Sequence, residues 1–302
     1  MSGKLTSMRD AIARLVGDGD TVVIEGFTHL ICFAAGHEII RQRRRDLTLC
    51  RLTPDLVYDQ MIAAGCARKL VFSWAGNPGA GPLYAVRRAV EEGVPAPLEL
   101  EEYSHFGMVA RFTAGAAMLP FMPLRSFRGS DLPKVNPRIQ TVKSPYDGEE
   151  IAVVPPLHPD TVIVHVQRAD QEGNAQIWGL LGVQKEAAFA ARRVIVVAEE
   201  IVAESVIRAD PNRTVIPGFI VDAVVHEPFG CHPSYAQGHY DRDNDFYVGW
   251  RDIGKERASL EAWLDEWVYG VADRAEYSRK LGGRVRELAA KDRFSPPVNY
   301  GY

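Results

Sequence analysis

Apolar residues at Leu5, Met8, Ile12 and Leu15 recur at the spacing of one helix face. Thr6 or Ser7 precedes them as a cap, and Gly17-Asp18-Gly19 follows as a stop. A short amphipathic helix is therefore expected to open the chain. Thr21 to Phe27 (TVVIEGF) is instead an unbroken β-branched run ending at Gly26, the pattern of a strand covered on both faces and followed by a tight turn. His29 to Arg44 then reads as a helix with a basic end, Leu47 to Leu52 as strand, Asp55 to Gly65 as helix and Lys69 to Trp74 as strand. Regular alternation of strand and helix implies right-handed crossovers and a parallel sheet.

The segment from Ala75 to Pro82 is too rich in glycine and proline for helix or strand, and a helix is predicted near Tyr84 to Glu92. Leu98 to Pro123 begins as a strand, passes Ser104, His105 and Gly107, and continues as an Ala/Gly-rich helix to Leu119-Pro120-Phe121. From Arg125 to Pro156 the pattern loosens into turn chemistry at 129–133 and 144–148, with short strands predicted at Ile139 to Val142 and Ile151 to Val154. Apolar residues persist there, so it reads as a flap-like excursion rather than a linker. Thr161 to Val166, Val194 to Ala198 and Val221 to Val225 return to the buried-strand pattern, with a helix between at Val183 to Ala191. One or two amphipathic helices are predicted over Glu256 to Leu281. The expected fold class is α/β: an open, mostly parallel sheet flanked by helices, in one domain spanning 1–302 with a helical C-terminal segment from about 256.

Composition narrows the function classes. The 302 residues include 35 Lys and Arg against 39 Asp and Glu, a net charge of −4, which speaks against a nucleic-acid partner. No basic-then-apolar leader opens the sequence, and no apolar run approaches the roughly 20 residues of a membrane helix, so a cytoplasmic protein with no membrane partner is expected. The four cysteines are scattered without CxxC spacing, so no metal site is expected and a reducing compartment suits them.

The candidate chemistry lies at strand-to-helix turns. His105 stands at one, where backbone N–H groups and side chains can meet a ligand. His29 follows the first strand, where open α/β sheets bind ligands, and a surface loop role fits it equally. Glu25 closes an apolar run just before Gly26, and a carboxylate there needs partners or a raised pKa. Glu101/Glu102 and Glu199/Glu200 each follow strand-like runs, but neighbours on a strand point to opposite faces, which weakens them as an acid/base dyad. The glycine-rich loop after Trp74 can present amides to an anion or serve only as a turn; it lacks both nucleotide-binding glycine patterns. His165 reads as a hydrogen-bonded structural residue within a strand, and His226, His232 and His239 as interface hydrogen-bonders. Cys231, beside His232, is a weak thiolate candidate, and no GxSxG supports a serine nucleophile.

The segments EGFTHL (25–30), EEYS (101–104), LPFMP (119–123), IWGLLG (177–182) and AEEIV (198–202) occur in an order that carries a resemblance. The block IPGFIVDAVVHEPFG with HPS (216–234) and YDRDN (240–244) is longer and more specific. From the first helix to about Trp250 the chain resembles the A subunit of class I CoA-transferases, the glutaconate CoA-transferase branch in particular. The resemblance implies an open α/β sheet wrapped by helices, coenzyme A as a substrate with no tightly bound cofactor, and an active site shared with a B subunit in an α2β2 or larger assembly. In two-chain members CoA passes between carboxylic acids through a glutamyl-CoA thioester on the B subunit, and this chain shows no Ser-Glu-Asn-Gly motif of that kind.

In the glutaconate and 3-oxoacid enzymes a glutamine stands fifteen places before the proline of the LPF-like segment, and its amide stabilises the tetrahedral oxyanion. Pro120 fixes that position here as His105. A histidine N–H can donate to an oxyanion, an interaction worth on the order of 3 kcal/mol, and unlike glutamine it can titrate. In the related cholesterol ring-cleaving hydrolases a glutamate takes this place. Glu25 stands where the glutaconate enzyme has glycine and bears on which acyl group fits. By the resemblance Gly26 and Phe27 shape an acyl pocket, and Ser73, Asn77 and Gly79 line its mouth, with His29 and Glu102 as further substrate-side candidates. Three functions follow: A subunit of an acyl-CoA transferase; acyl-CoA hydrolase or decarboxylase with His105 as general acid/base; or a noncatalytic CoA-binding or regulatory subunit.

Overall fold

A computed structural model describes residues 3–290. In chain order it begins with β1 (Leu5–Thr6), α1 (Met8–Leu15), β2 (Thr21–Glu25), α2 (Phe33–Arg41), β3 (Leu47–Cys50) and α3 (Leu56–Ala63). Then come β4 (Ala67–Phe72), α4 (Tyr84–Glu91), β5 (Glu99–Glu102) and α5 (His105–Ala116). The excursion carries β6 (Met122–Leu124), the single-turn α6 (Leu132–Val135), β7 (Gln140–Lys143) and β8 (Glu150–Val154). After it come β9 (Thr161–Ala169), β10 (Ala175–Gln176), α7 (Gln184–Ala190), β11 (Arg193–Ile201), α8 (Glu204–Arg208), β12 (Thr214–Ile216) and β13 (Ala223–His226). The helical end consists of α9 (Asn244–Gly254), α10 (Arg257–Leu264), α11 (Arg274–Leu281) and α12 (Gly283–Leu288).

The main sheet runs β1-β13-β11-β9-β2-β3-β4-β5, with the short β10 and β12 attached antiparallel beside β9. Every pair along the main path is parallel. The chain winds outward from β2 through β3, β4 and β5, then returns to the other side of β2 as β9 and winds outward again. That reversal between β2 and β9 separates the loops leaving their carboxyl ends, the place where open α/β sheets form a crevice.

Continuous apolar strands are explained by helices on both faces. Val22 and Ile24 bury into a core with α1, α2, α3 and α10, whereas Val23 points into a second core with α5, α7 and the excursion. Several expected boundaries shift. Leu5 lies in β1, paired with Val224, and is 45% exposed, so it is no part of the helix face; Ser7 caps α1 by accepting from the Asp10 amide at 3.1 Å. The predicted helix from His29 begins only at Phe33, because Thr28 and Leu30 have φ of 58° and 57°, outside helical space. The helical end starts before residue 256, since Asp243 caps α9. The excursion is a three-stranded antiparallel sheet, β6-β8-β7.

This sheet and α5 are held together through Glu101. Its carboxylate receives Lys69 at 2.6 Å, Arg111 at 2.7 Å, the Tyr103 hydroxyl at 2.7 Å and, from the excursion, Arg138 at 3.6 Å. Burial alone would raise this carboxyl, but the Lys69 and Tyr103 hydrogen bonds and the Arg111 charge hold it below the usual range. Glu102, its neighbour, faces solvent, as strand alternation requires.

Helix α5 approaches α7 so closely that a Cβ on Gly115 would lie 2.1 Å from the Leu157 carbonyl oxygen and 2.9 Å from Ala190 Cβ. Backbone cannot yield as a flexible side chain does. Gly115→Ala is expected to destabilise the chain by about 1–3 kcal/mol, read as a lower urea midpoint at unchanged m-value.

Candidate active site

The β2–β3 ladder ends at Val23 opposite Cys50. Beyond that rung Tyr58, from α3, inserts its hydroxyl between the strands, accepting from the Ile24 amide at 3.1 Å and donating to the Cys50 carbonyl at 2.8 Å. The strands separate around this wedge, and a charged residue stands at each end: Glu25 closes β2, and Arg51 directly follows β3. Arg51 is 1% exposed; its guanidinium donates to the Gly26 carbonyl and to Asp55 Oδ1 at 3.1 Å. Glu25 is equally buried, with Oε2 lacking a hydrogen-bond partner. Burial raises its pKa to about 7, against the opposing pull of the Arg51 charge. Gly26 admits no side chain, because a Cβ would sit 2.7 Å from both the His29 and Leu30 carbonyl oxygens. The turn therefore folds back tightly and leaves Phe27 at the crevice.

His105 is the first residue of α5, set in place by Ser104, whose hydroxyl accepts from the Gly107 amide at 3.0 Å. Gly107 is needed there, since a Cβ would meet Phe127 of the excursion at 2.8 Å. The imidazole is exposed. Its Nδ1 lies 3.0 Å from Ser73 Oγ, and Phe27 meets it edge-on at 5.8 Å between ring centroids. Ser73 Oγ in turn donates to the Leu52 carbonyl at 2.6 Å. The ends of β2, β3, β4 and β5 thus converge on one ring.

Of the residues expected at the site, Glu25, Gly26, Phe27, Ser73 and His105 are brought together in this way. His29 is not at the surface: it is fully buried, with Nδ1 at 3.0 Å from the Leu180 carbonyl and Nε2 accepting from the Gln237 amide at 3.0 Å. Burial pushes its pKa down to about 4, so it is a neutral brace for the loop carrying Leu180. Asn77 is also turned inward, donating to the Tyr247 carbonyl at 2.7 Å, and pins α9 rather than lining a mouth. The amides of Asn77, Ala80 and Gly81 all bond within the 77–81 turn, which explains Gly79 at φ 79° and leaves them no cradle to offer an anion. Glu102 ends β5 with its side chain in solvent and its carbonyl bound by Asn136 at 2.7 Å.

Two other expectations resolve into packing. Cys231 is fully buried, and burial drives its thiol well above the ordinary value, so it is no thiolate. His165, Glu199 and Cys231 offer ligand atoms within 4.8 Å of one another, yet Glu199 already accepts from His165 at 2.7 Å, from the Phe229 amide at 2.7 Å and from the Tyr240 hydroxyl. That trio is a buried hydrogen-bond network. His232 likewise sits between Asp243 at 2.9 Å and Tyr277 at 3.0 Å, joining the 229–243 loop to α11.

Reading by pattern misses Arg51, Gly182 and Gln184. Gly182 closes over the site, where a Cβ would lie 2.8 Å from Glu25 Oε1 and 3.1 Å from Phe27 Cβ; Gln184 holds it by accepting from its amide at 2.6 Å. A signal for Arg51 is present in the sequence: two buried strand runs end in charges of opposite sign, Glu25 and Arg51. Trp74, Phe106 and Leu181, the chain neighbours of Ser73, His105 and Gly182, are 47%, 57% and 47% exposed, and Leu180, next to Leu181, is 43% exposed.

Residues 5–227 match the family model described as coenzyme A transferase. The chain is 53% identical over 278 residues to the A subunit of 3-oxoadipate CoA-transferase from Pseudomonas knackmussii, covering 92% of this chain and 98% of that one. It is 33% identical over 297 residues to the A subunit of glutaconate CoA-transferase from Acidaminococcus fermentans, covering 92% of each. The crystal structure of the latter enzyme superposes with a TM-score of 0.89 over 95% of this chain and 96% of that chain. The IpdA subunit of the cholesterol ring-cleaving hydrolase of Mycobacterium tuberculosis is 28% identical over 286 residues, 90% of this chain and 95% of that one.

The buried Glu25 has a thermodynamic signature. Its folded pKa of about 7 exceeds the ordinary 4.5, so the folded state holds the proton longer and stability declines as pH rises through that window. Removing the ionisable group removes the decline. Glu25→Gln is expected to gain about 3 kcal/mol on the parent between pH 4.5 and pH 8, with no differential gain below that window, in urea titrations of the purified chain.

Proposed function

The chain belongs to the coenzyme A transferase family, and from that premise we propose that it is the A subunit of a two-chain enzyme moving CoA between carboxylic acids. The observation that carries this reading is a site complete in its support and open at its face. His105 is exposed within an apolar rim, and among the described residues no carboxylate is hydrogen-bonded or ion-paired to it. Clustered exposed apolar side chains mark a surface meant for a partner. The partner would cover Trp74, Phe106, Leu180 and Leu181 and supply the nucleophilic glutamate. The 53% identity to the A subunit of 3-oxoadipate CoA-transferase supports a 3-oxo dicarboxylic acid as one of the two carboxylates, in an α2β2 or larger assembly.

The chemistry conserves atoms without water. A partner carboxylate attacks the thioester carbonyl, the carbonyl π pair moves onto oxygen, and collapse expels CoA thiolate, leaving an anhydride. The thiolate then attacks the glutamyl carbonyl, releasing the first carboxylate and leaving glutamyl-CoA; the second carboxylate reverses the sequence. Each tetrahedral stage places negative charge on an oxygen, and an N–H donor from His105 would stabilise it in an apolar, covered site.

Mixing the chain with its partner should generate CoA transfer that neither shows alone, and hydroxylamine or borohydride should trap a glutamyl adduct on the partner. Turnover in water alone, with no trapped adduct, would instead favour the hydrolase reading. In the assembled enzyme His105→Ala should lower kcat by about 10²-fold. Because the ring is exposed, stability should change by no more than about 0.5 kcal/mol. Near-full activity in that variant would remove His105 from the site.

A further inference from the structure

We propose that Ser73 is a positioning residue that holds neutral His105 in the Nδ1–H tautomer, so that the ring offers a bare Nε2 to the reaction and becomes an oxyanion donor only as the imidazolium. The inference rests on His105 belonging to the site. Two oxygens, Ser73 Oγ and the Leu52 carbonyl, stand 2.6 Å apart, and a carbonyl can only accept. The hydroxyl proton must lie between them, since unshielded oxygens at that distance repel. The carbonyl is itself fixed, receiving the Ser73 and Trp74 amides at 3.1 and 3.3 Å. Ser73 Oγ is left with lone pairs toward His105 Nδ1 at 3.0 Å, and that contact is a hydrogen bond only if the ring nitrogen carries the proton. A neutral imidazole has one such proton, so Nε2 is then an acceptor.

Among the described residues, the ring is touched by Ser73, from the end of β4, and by Phe27, edge-on, from the turn after β2, both uncharged. Nε2 has no protein hydrogen bond among the described residues, so its role passes to the reacting groups. A glutamine amide at this place would donate at every pH. Here donation at Nε2 requires a second proton on the ring. With that proton, the ring stabilises the oxyanion of transfer; without it, Nε2 can accept a proton from water as the water oxygen attacks the thioester carbonyl and CoA thiolate departs. Ser73 thereby ties the balance between transfer and hydrolysis to one proton.

The test is the pH profile of kcat for transfer and for thioester hydrolysis in the assembled two-chain enzyme. The parent should lose transfer about tenfold per pH unit on an alkaline limb while the hydrolysis-to-transfer ratio rises. His105→Gln should flatten the limb, and Ser73→Ala should flatten it partly by releasing the Nε2–H tautomer, with Ser73→Thr restoring it. If Ser73→Ala lowers kcat by one factor at all pH values, the inference is overturned while the site reading stands. Full activity in His105→Ala overturns both. Long-range proton–nitrogen correlation spectra of parent enzyme labelled with ¹⁵N-histidine give a readout independent of any variant. Above the alkaline limb a proton on Nδ1 supports the inference, and one on Nε2 overturns it.

Discussion

A single cation in the core sets the shape of the site. Arg51 carries its charge at 1% exposure, and a guanidinium so placed must find acceptors or destabilise the fold. It finds the Gly26 carbonyl, Asp55 Oδ1 and the field of Glu25, and its guanidinium carbon lies 5.8 Å from the Tyr58 ring centroid. These partners come from β2, its following turn and α3. Meeting the needs of the arginine therefore fixes where β2 stops, how sharply Gly26 turns and where Phe27 emerges. Tyr58 completes the arrangement by taking up the strand-end amide and carbonyl that a continued ladder would have satisfied. The crevice is thus built from satisfied backbone rather than from a gap in packing.

Much of this is legible along the chain and some is not, for physical reasons. The runs TVVIE, LTLC and TVIVHV contain little besides β-branched and apolar residues, and each forms a strand buried on both faces. Pattern fails where geometry depends on distant partners. His29 continues an apolar, helix-compatible stretch, yet bonds to the Leu180 carbonyl and Gln237 amide hold it in a loop between two positive-φ residues. Position alone puts Asn77 at the mouth, but its amide is drawn inward by a carbonyl 170 residues away. Glu25 stands out as an unusual carboxylate because a charge ending an apolar run is a local anomaly. Its counterpart Arg51 has meaning only once β2 and β3 are neighbours.

Support and chemistry are divided between interior and surface. Arg51, Tyr58 and His29 are buried and act mainly on backbone carbonyls and amides, and the buried Glu101 gathers the Lys69, Arg111, Arg138 and Tyr103 side chains, whereas His105 stands in the open. Such a division separates two kinds of substitution. Changes in the support act through stability and the position of strand ends, whereas changes at His105 remove a functional group and leave packing intact. It also accounts for an exposed apolar rim in a chain that has a large core available: those side chains are placed where a second surface can exclude water from the reacting atoms.

How His105 would act differently from a carboxamide at the same place follows from donor chemistry. A carboxamide presents a permanent N–H donor and cannot exchange roles. An imidazole presents either an N–H or a lone pair at the same point, and the group on its far nitrogen decides which. Ser73 Oγ lies on that far nitrogen at 3.0 Å with its own proton committed to Leu52. If His105 is the oxyanion donor proposed above, the chemistry of its position would belong to the Leu52–Ser73–His105 chain rather than to His105 alone. Its first link is a backbone carbonyl at the end of β3, whose place in the fold is set by the same strand end that Arg51 holds. The buried cation and the exposed imidazole thus belong to two hydrogen-bonded groups that meet at consecutive residues, Arg51 and Leu52, just past the end of β3.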